Sequence, residues 1–166
     1  MINWRELLPK YNCKSYLTSS QDLALLFKKY DNVWFCTGCS KTKGKYKDTS
    51  IPKYFYVSDR LLNFYKYCEL NKFNYGILSD KYGIHLMDES LSFYDIHPSS
   101  LTDEQFKGLG KQIGQKANKL NIDCFVYYNP SPMMAVPYFK MLNFANIDFY
   151  FITKRISLNT QKTLQL

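Results

Sequence analysis

The sequence predicts an α/β fold: one domain with a mostly parallel central sheet of about four strands and helices on both faces. Short apolar runs rich in β-branched and aromatic residues alternate along the chain with longer segments of helical spacing. Those runs are apolar at successive positions, not at every second one, which is the pattern of strands covered on both sides. A length of 166 residues, 46% hydrophobic and 22% charged, suits a single folded core. With no repeat, low-complexity block or linker to divide it, the domain is placed at 1–154 and residues 155–166 are expected to form a loosely ordered tail.

The first element, "SSQDLALLFKKYDN", is a helix. Ser19 or Ser20 caps it, Asp22 suits its first turn, and Leu23, Leu26 and Phe27 share a face. "NVWFCTG" is a strand ended by Gly38, and a lysine-rich loop runs on to Pro52. "SDRLLNFYKYCELNKF" is a second helix, with Ser58 as its cap and Leu61, Leu62, Tyr65 and Cys68 on one side. "NYGILS" is the second strand, followed by a polar loop around "MDESLSFYDIHPSS". "TDEQFKGLGKQIGQKANKLN" is a helix capped by Thr102, with Phe106, Leu109, Ile113 and Ala117 as its apolar stripe. "IDCFVYY" and "IDFYFIT" are the third and fourth strands, separated by a short helix that Pro137 kinks or restarts.

In open α/β sheets ligands gather beyond the carboxyl ends of the strands. The loops "CSKTKGK", "SDKYGIH" and "NPSPMM" should therefore converge on one edge. The first lacks Walker A spacing and lacks G-x-G-x-x-G, which argues against a phosphate-loop NTPase or a dinucleotide fold. What it offers is a small-residue turn, Thr37 to Ser40, whose amides and hydroxyls suit an anion, with Lys41 and Lys43 adding charge. Lys45 and Lys47 read better as a solvated basic loop. "LSDKYG" repeats the chemistry with Ser79 and Lys81, and Asp80 between them can pair with either lysine. A lysine buried beside an anion site is also a candidate nucleophile or base.

Cys36-x-x-Cys39 has metal-ligand spacing, but there is no second such pair. Cys36 is expected to point into the core, so a zinc site completed by His85 and His97 is disfavoured, and no cofactor is called for. Cys39 is a candidate catalytic thiolate beside the lysines. Asp95, preferred to Asp88, is a candidate general base or stabiliser of an oxocarbenium-like centre.

Lysine and arginine number 22 against 14 acidic residues, a net charge of +8, which favours polyanionic partners such as nucleic acid; with the anion-suited turns, a nucleotide or nucleic acid is the expected partner. The early segment "MINWRELLPKYNCKSYL" is interrupted by charge, and no apolar run is long enough for a bilayer. An odd number of scattered cysteines fits a reducing compartment, so a cytoplasmic location is expected.

The ordered set "CSKTK", "FYVSDRLLNFYKYCE" and "ILSDKYGIHLMDESLSFYD", over about residues 33 to 96, resembles a family of small prokaryotic and phage domains reading C-S-x-x-K, Y-x-S-x-x-F, I-L-S-A-K-Y-G-L and Tyr-Asp, with Leu61 standing where the second motif has phenylalanine. That family looks related to YaaA-like peroxide-stress proteins and to a domain of archaeosine-synthase-type tRNA-modifying enzymes. By position the resemblance implies roles for Cys39, Ser40, Lys41 and Lys43, for Tyr56 and Ser58, for Ser79, Lys81, Tyr82 and Gly83, and for Tyr94 with Asp95; Arg60, next to the second motif, is a further candidate for ligand binding. Asp80 stands where a small residue is usual, and Ile84 where leucine is usual. The implied function is nucleotide or nucleic-acid phosphate binding with action on a nucleoside or base, by glycosidic cleavage or base modification. A non-catalytic DNA-binding, stress-protecting module and a nucleotide-sequestering phage or defence protein are the alternatives.

Overall fold

A computed structural model describes residues 3–40, 44, 48–131 and 134–156. The α/β prediction holds: the sheet is mostly parallel, with one antiparallel pair, and has helices on both faces. The elements run α1 (Trp4–Lys10), α2 (Ser20–Lys29), β1 (Val33–Gly38), α3 (Pro52–Phe55), α4 (Asp59–Asn71), β2 (Tyr75–Ser79), β3 (Gly83–Leu86), α5 (Asp103–Lys119), β4 (Cys124–Tyr128), α6 (Val136–Asn143) and β5 (Asp148–Ile152). A 3₁₀ turn, Pro98–Ser100, precedes α5. No helix among the described residues is long and apolar enough to cross a membrane.

The sheet order is β3-β2-β1-β4-β5, with β1 at its centre. Parallel registers place Phe35 opposite Tyr75, Trp34 opposite Phe125 and Val126 opposite Tyr150. Side chains leave a strand alternately on opposite faces, and β1 uses both. Trp34 and Cys36 enter a core with Leu109 and Ile113 of α5 and Phe139 and Leu142 of α6. Val33 and Phe35 enter another with Leu23 and Leu26 of α2 and Leu61 and Phe64 of α4. Stacked rings tie this second core together, Phe35 on Phe73 at 4.6 Å and Phe64 on Tyr128 at 6.0 Å.

The sheet adds a fifth strand to the four read from the sequence. Residues 83–86, read from the sequence as loop, pair antiparallel with β2, Ser79 opposite Gly83 and Ile77 opposite His85. Gly83 makes this hairpin feasible: its φ is +74°, and a Cβ there would lie 2.5 Å from the Leu109 carbonyl oxygen. The strand is only four residues long and has a histidine in its middle, so it lacks the apolar run that marks the others.

Two of the three caps read from sequence form their bonds, while Ser58 holds the N-cap position of α4 without a side-chain capping bond. Ser19 Oγ accepts from the Asp22 amide, and Thr102 with Gln105 makes a reciprocal capping box. Pro137 sits in the first turn of α6, where no backbone donor is needed, and so starts the helix without breaking it. Two features were not anticipated. Helix α1 is capped by the Asn3 side chain, and the segment after it runs along the outer edge of β5. There the Lys14 and Leu17 amides donate to the carbonyls of Phe149 and Phe151. Of the expected tail, Ile156 is buried against the second core, and residues 157–166 lie outside the described residues.

Candidate functional site

The connections leaving β1 and β4 turn to opposite faces of the sheet, α4 packing in one core and α6 in the other. Adjacent parallel strands whose connections diverge leave a crevice at their carboxyl ends. Here that crevice is a cavity of about 620 Å³. Four loops or turns and two helix starts converge on it, each delivering a small set of polar groups.

From the end of β1 come Gly38, Cys39 and Ser40. The start of α4 supplies Ser58 and Arg60. Arg60 reaches back over the end of β1: its guanidinium donates to Thr37 Oγ1 and the Gly38 carbonyl, each at 2.7 Å, and more weakly to the Cys39 carbonyl at 3.5 Å. Thr37 in turn donates to the Tyr128 carbonyl at 2.6 Å, so the arginine pins β1 to β4 while placing a cation at the cavity wall. Ser58 is at the N-cap position of α4, yet its side chain makes no capping bond. Its Oγ is buried and has no hydrogen-bond partner among the described residues, although the residue lines the cavity.

The turn between β2 and β3 supplies Asp80, only 3% exposed. Cys39 Sγ donates to its Oδ2 at 3.1 Å. The Tyr138 hydroxyl, from α6, lies 3.3 Å from the same sulfur. Burial, reinforced by the charges of Cys39 and Asp80, pushes that phenol well above its ordinary value, so it remains a proton donor. With the thiol proton turned to Asp80, the hydroxyl donates to sulfur. Asn129, at the end of β4, is buried; its amide donates to Tyr127 Oη and its oxygen accepts from the Ser131 amide. The 91–97 loop supplies Asp95, exposed at the rim, with Ile96 and His97 beside it.

Of the residues expected from sequence, Cys39, Ser40, Ser58, Arg60 and Asp95 meet at this cavity. Tyr56, Ser79 and Tyr94 instead form a buried chain just behind it. Ser79 Oγ donates to Tyr94 Oη at 2.8 Å, and the Tyr94 and Tyr56 hydroxyls are 3.0 Å apart. His85 Nδ1 lies 3.4 Å from the Tyr56 hydroxyl, and its Nε2 lies 2.7 Å from the Glu89 carbonyl oxygen. Burial lowers the pKa of His85, which favours the neutral ring that donates from Nε2 and accepts at Nδ1. The Lys81 and Tyr82 amides also donate to Ser79 Oγ, so that hydroxyl is turned inward.

The two serine–lysine turns do adjoin: the Cys39 amide donates to the Leu78 carbonyl. They do not present matched groups, because Asp80 and not Ser79 faces the cavity. Lys81 is exposed, with its ammonium 5.3 Å from the centre of the Tyr82 ring, so the buried setting that would make it a nucleophile or base is absent. Tyr82 donates to the Ser92 carbonyl, and Gly83 opens β3. Lys41 and Lys43 lie outside the described residues, as do Thr42, Lys45 and Lys47. Cys36 is fully buried in the core, and no group of three His, Cys, Asp or Glu side chains among the described residues is arranged to hold a metal.

Sequence alone marks Asp80 only as a partner for lysine, and brings Asn129 to this edge only as the first residue of "NPSPMM", without singling out its side chain. Tyr138 lies within a helix and carries no strand-end signal. Compared with known family models, curated proteins and solved structures, the chain matches none.

Proposed function

We propose that this chain binds a nucleoside phosphate, free or within a nucleic acid, in the cavity between β1 and β4 and cleaves the bond between its sugar and its base. The observation that carries this reading is that two carboxylates of unlike surroundings, buried Asp80 and exposed Asp95, line one cavity together with Ser40, Ser58 and Arg60. Cleavage of a glycosidic bond passes through a sugar with positive charge at its anomeric carbon, and a pair of carboxyl groups divides the work. Asp80, accepting the Cys39 thiol proton, is the fixed negative group that stabilises that charge. Asp95 at the solvent rim exchanges protons with the departing base and the incoming water. Ser40, Ser58 and Arg60, beside the first turn of α4, receive the phosphate. The net charge of +8 and the resemblance of residues 33 to 96 to a nucleic-acid-directed family support the same substrate class.

Incubation with nucleoside monophosphates and with single-stranded DNA and RNA, followed by chromatography of released base, tests it. Release that falls by about 100-fold or more in both Asp80→Asn and Asp95→Asn is expected, since a positioned acid or base contributes on that order. Absence of release on all these substrates, together with DNA binding that weakens steeply with added salt, overturns the enzyme in favour of a backbone-binding module.

A further inference from the structure

The five thiols of this chain are unlike in a way the proposed reaction does not use. Cys13, Cys36, Cys68 and Cys124 are buried, and none of the five is in a disulfide. Burial pushes the Cys13 thiol up to about 12 and the other three well up, so these four are poor nucleophiles as well as inaccessible ones. Cys39 alone is partly exposed, and what it is exposed to is the cavity. Its sulfur also has a proton acceptor, Asp80 Oδ2 at 3.1 Å, and a second polar hydrogen, that of Tyr138, at 3.3 Å.

We propose that Cys39 is a covalent-attachment site on the cavity wall, taking one sulfur of a low-molecular-weight disulfide that enters through the cavity mouth. The exchange balances without any further oxidant. Cys39 sulfur attacks one sulfur of the ligand while its proton passes to Asp80 Oδ2. A new S–S bond forms as the ligand's own S–S bond breaks, and the departing thiolate takes the proton back from Asp80. Tyr138, held protonated, donates to Cys39 sulfur while negative charge builds there. Arg60 on the same wall favours a ligand that carries a carboxylate. The cavity, about 620 Å³, has room for the attached half.

The probe is 5,5′-dithiobis(2-nitrobenzoate), an anionic aromatic disulfide, applied to the folded, reduced full chain. One thionitrobenzoate per chain should be released rapidly, with the adduct mapped by peptide mass spectrometry to Cys39 and removed by dithiothreitol. All five thiols should react once the chain is unfolded. Cys39→Ser should abolish the rapid phase in the folded state. Ser131→Trp, on an exposed cavity-lining position, should slow it by about tenfold or more by narrowing the approach, because exchange depends on access. Rapid release of none or of several equivalents, an adduct on another cysteine, or a rate indifferent to Ser131→Trp overturns the proposal. Protection of Cys39 by a nucleoside monophosphate supports the nucleotide reading as well. Labelling of Cys39 that the nucleotide leaves unchanged upholds the attachment site and counts against that reading, so the two can fail separately.

Discussion

Gly38 ends β1, and a Cβ there would lie 2.5 Å from the nearest carbon of the Tyr138 ring. The missing side chain is what lets that ring lie across the strand end and bring its hydroxyl to Cys39. Gly38→Ala should therefore force the ring aside and destabilise the protein by roughly 1–3 kcal/mol, as overpacking of a close contact does. Denaturant unfolding measures this, and a variant of unchanged midpoint would show that the ring has room to move. The same contact explains why Cys39 and Ser40 were legible from sequence while Tyr138 was not. A small residue followed by polar ones at a strand end is a local signal. The partner that needs the small residue lies 99 positions beyond Cys39.

At the level of elements, the helices were the most legible parts, since caps and apolar stripes are written in neighbouring residues. Strand β3 was not, because four residues around a histidine carry no period. Its histidine is nonetheless central to the chain Ser79–Tyr94–Tyr56–His85, which joins three segments immediately beside those that deliver Asp80, Asp95 and Ser58. Removing one hydroxyl from a buried chain leaves its neighbours short of a partner, at a cost of about 1–3 kcal/mol. Tyr94→Phe is expected to lose stability on that scale and to be non-additive with Tyr56→Phe in a double-mutant cycle; independent, additive losses would deny that the hydroxyls act as a chain.

His85 also sets a pH dependence. Its folded-state pKa is below the ordinary 6.5, so the unfolded chain binds a proton first as pH falls. The stability associated with the neutral ring is complete above about 6.5 and is lost progressively below it, down to the folded-state value. Urea midpoints measured between pH 7.5 and 5 should fall, with the decline reduced in His85→Gln; a flat profile would contradict a buried neutral imidazole.

Across the whole molecule, both sheet edges are covered by other parts of the chain. Beside the β3 edge, Lys116 donates to the Ile84 carbonyl and pairs with Glu89 at 2.9 Å. The β5 edge is capped by the backbone of residues 14–17. A strand with unpaired amides and carbonyls recruits other chains, so removal of residues 1–17 should produce concentration-dependent association, visible by light scattering. A monodisperse truncated chain would show that the edge is protected in some other way.

Alternating elements, apolar on successive positions, determined by themselves that the sheet is mostly parallel, that it is covered on both faces, and that the polar loops gather at one edge. Those are consequences of local periodicity and of the short reach of strand-to-helix connections. Only the tertiary structure decided which groups at that edge face the cavity. Ser79 and Asp80 are neighbours in the chain, yet one bonds inward to Tyr94, 15 residues on, and the other meets Cys39, 41 residues back. Adjacent residues at a strand end point in opposite directions, and which direction leads to the cavity depends on partners that only the folded chain brings within reach.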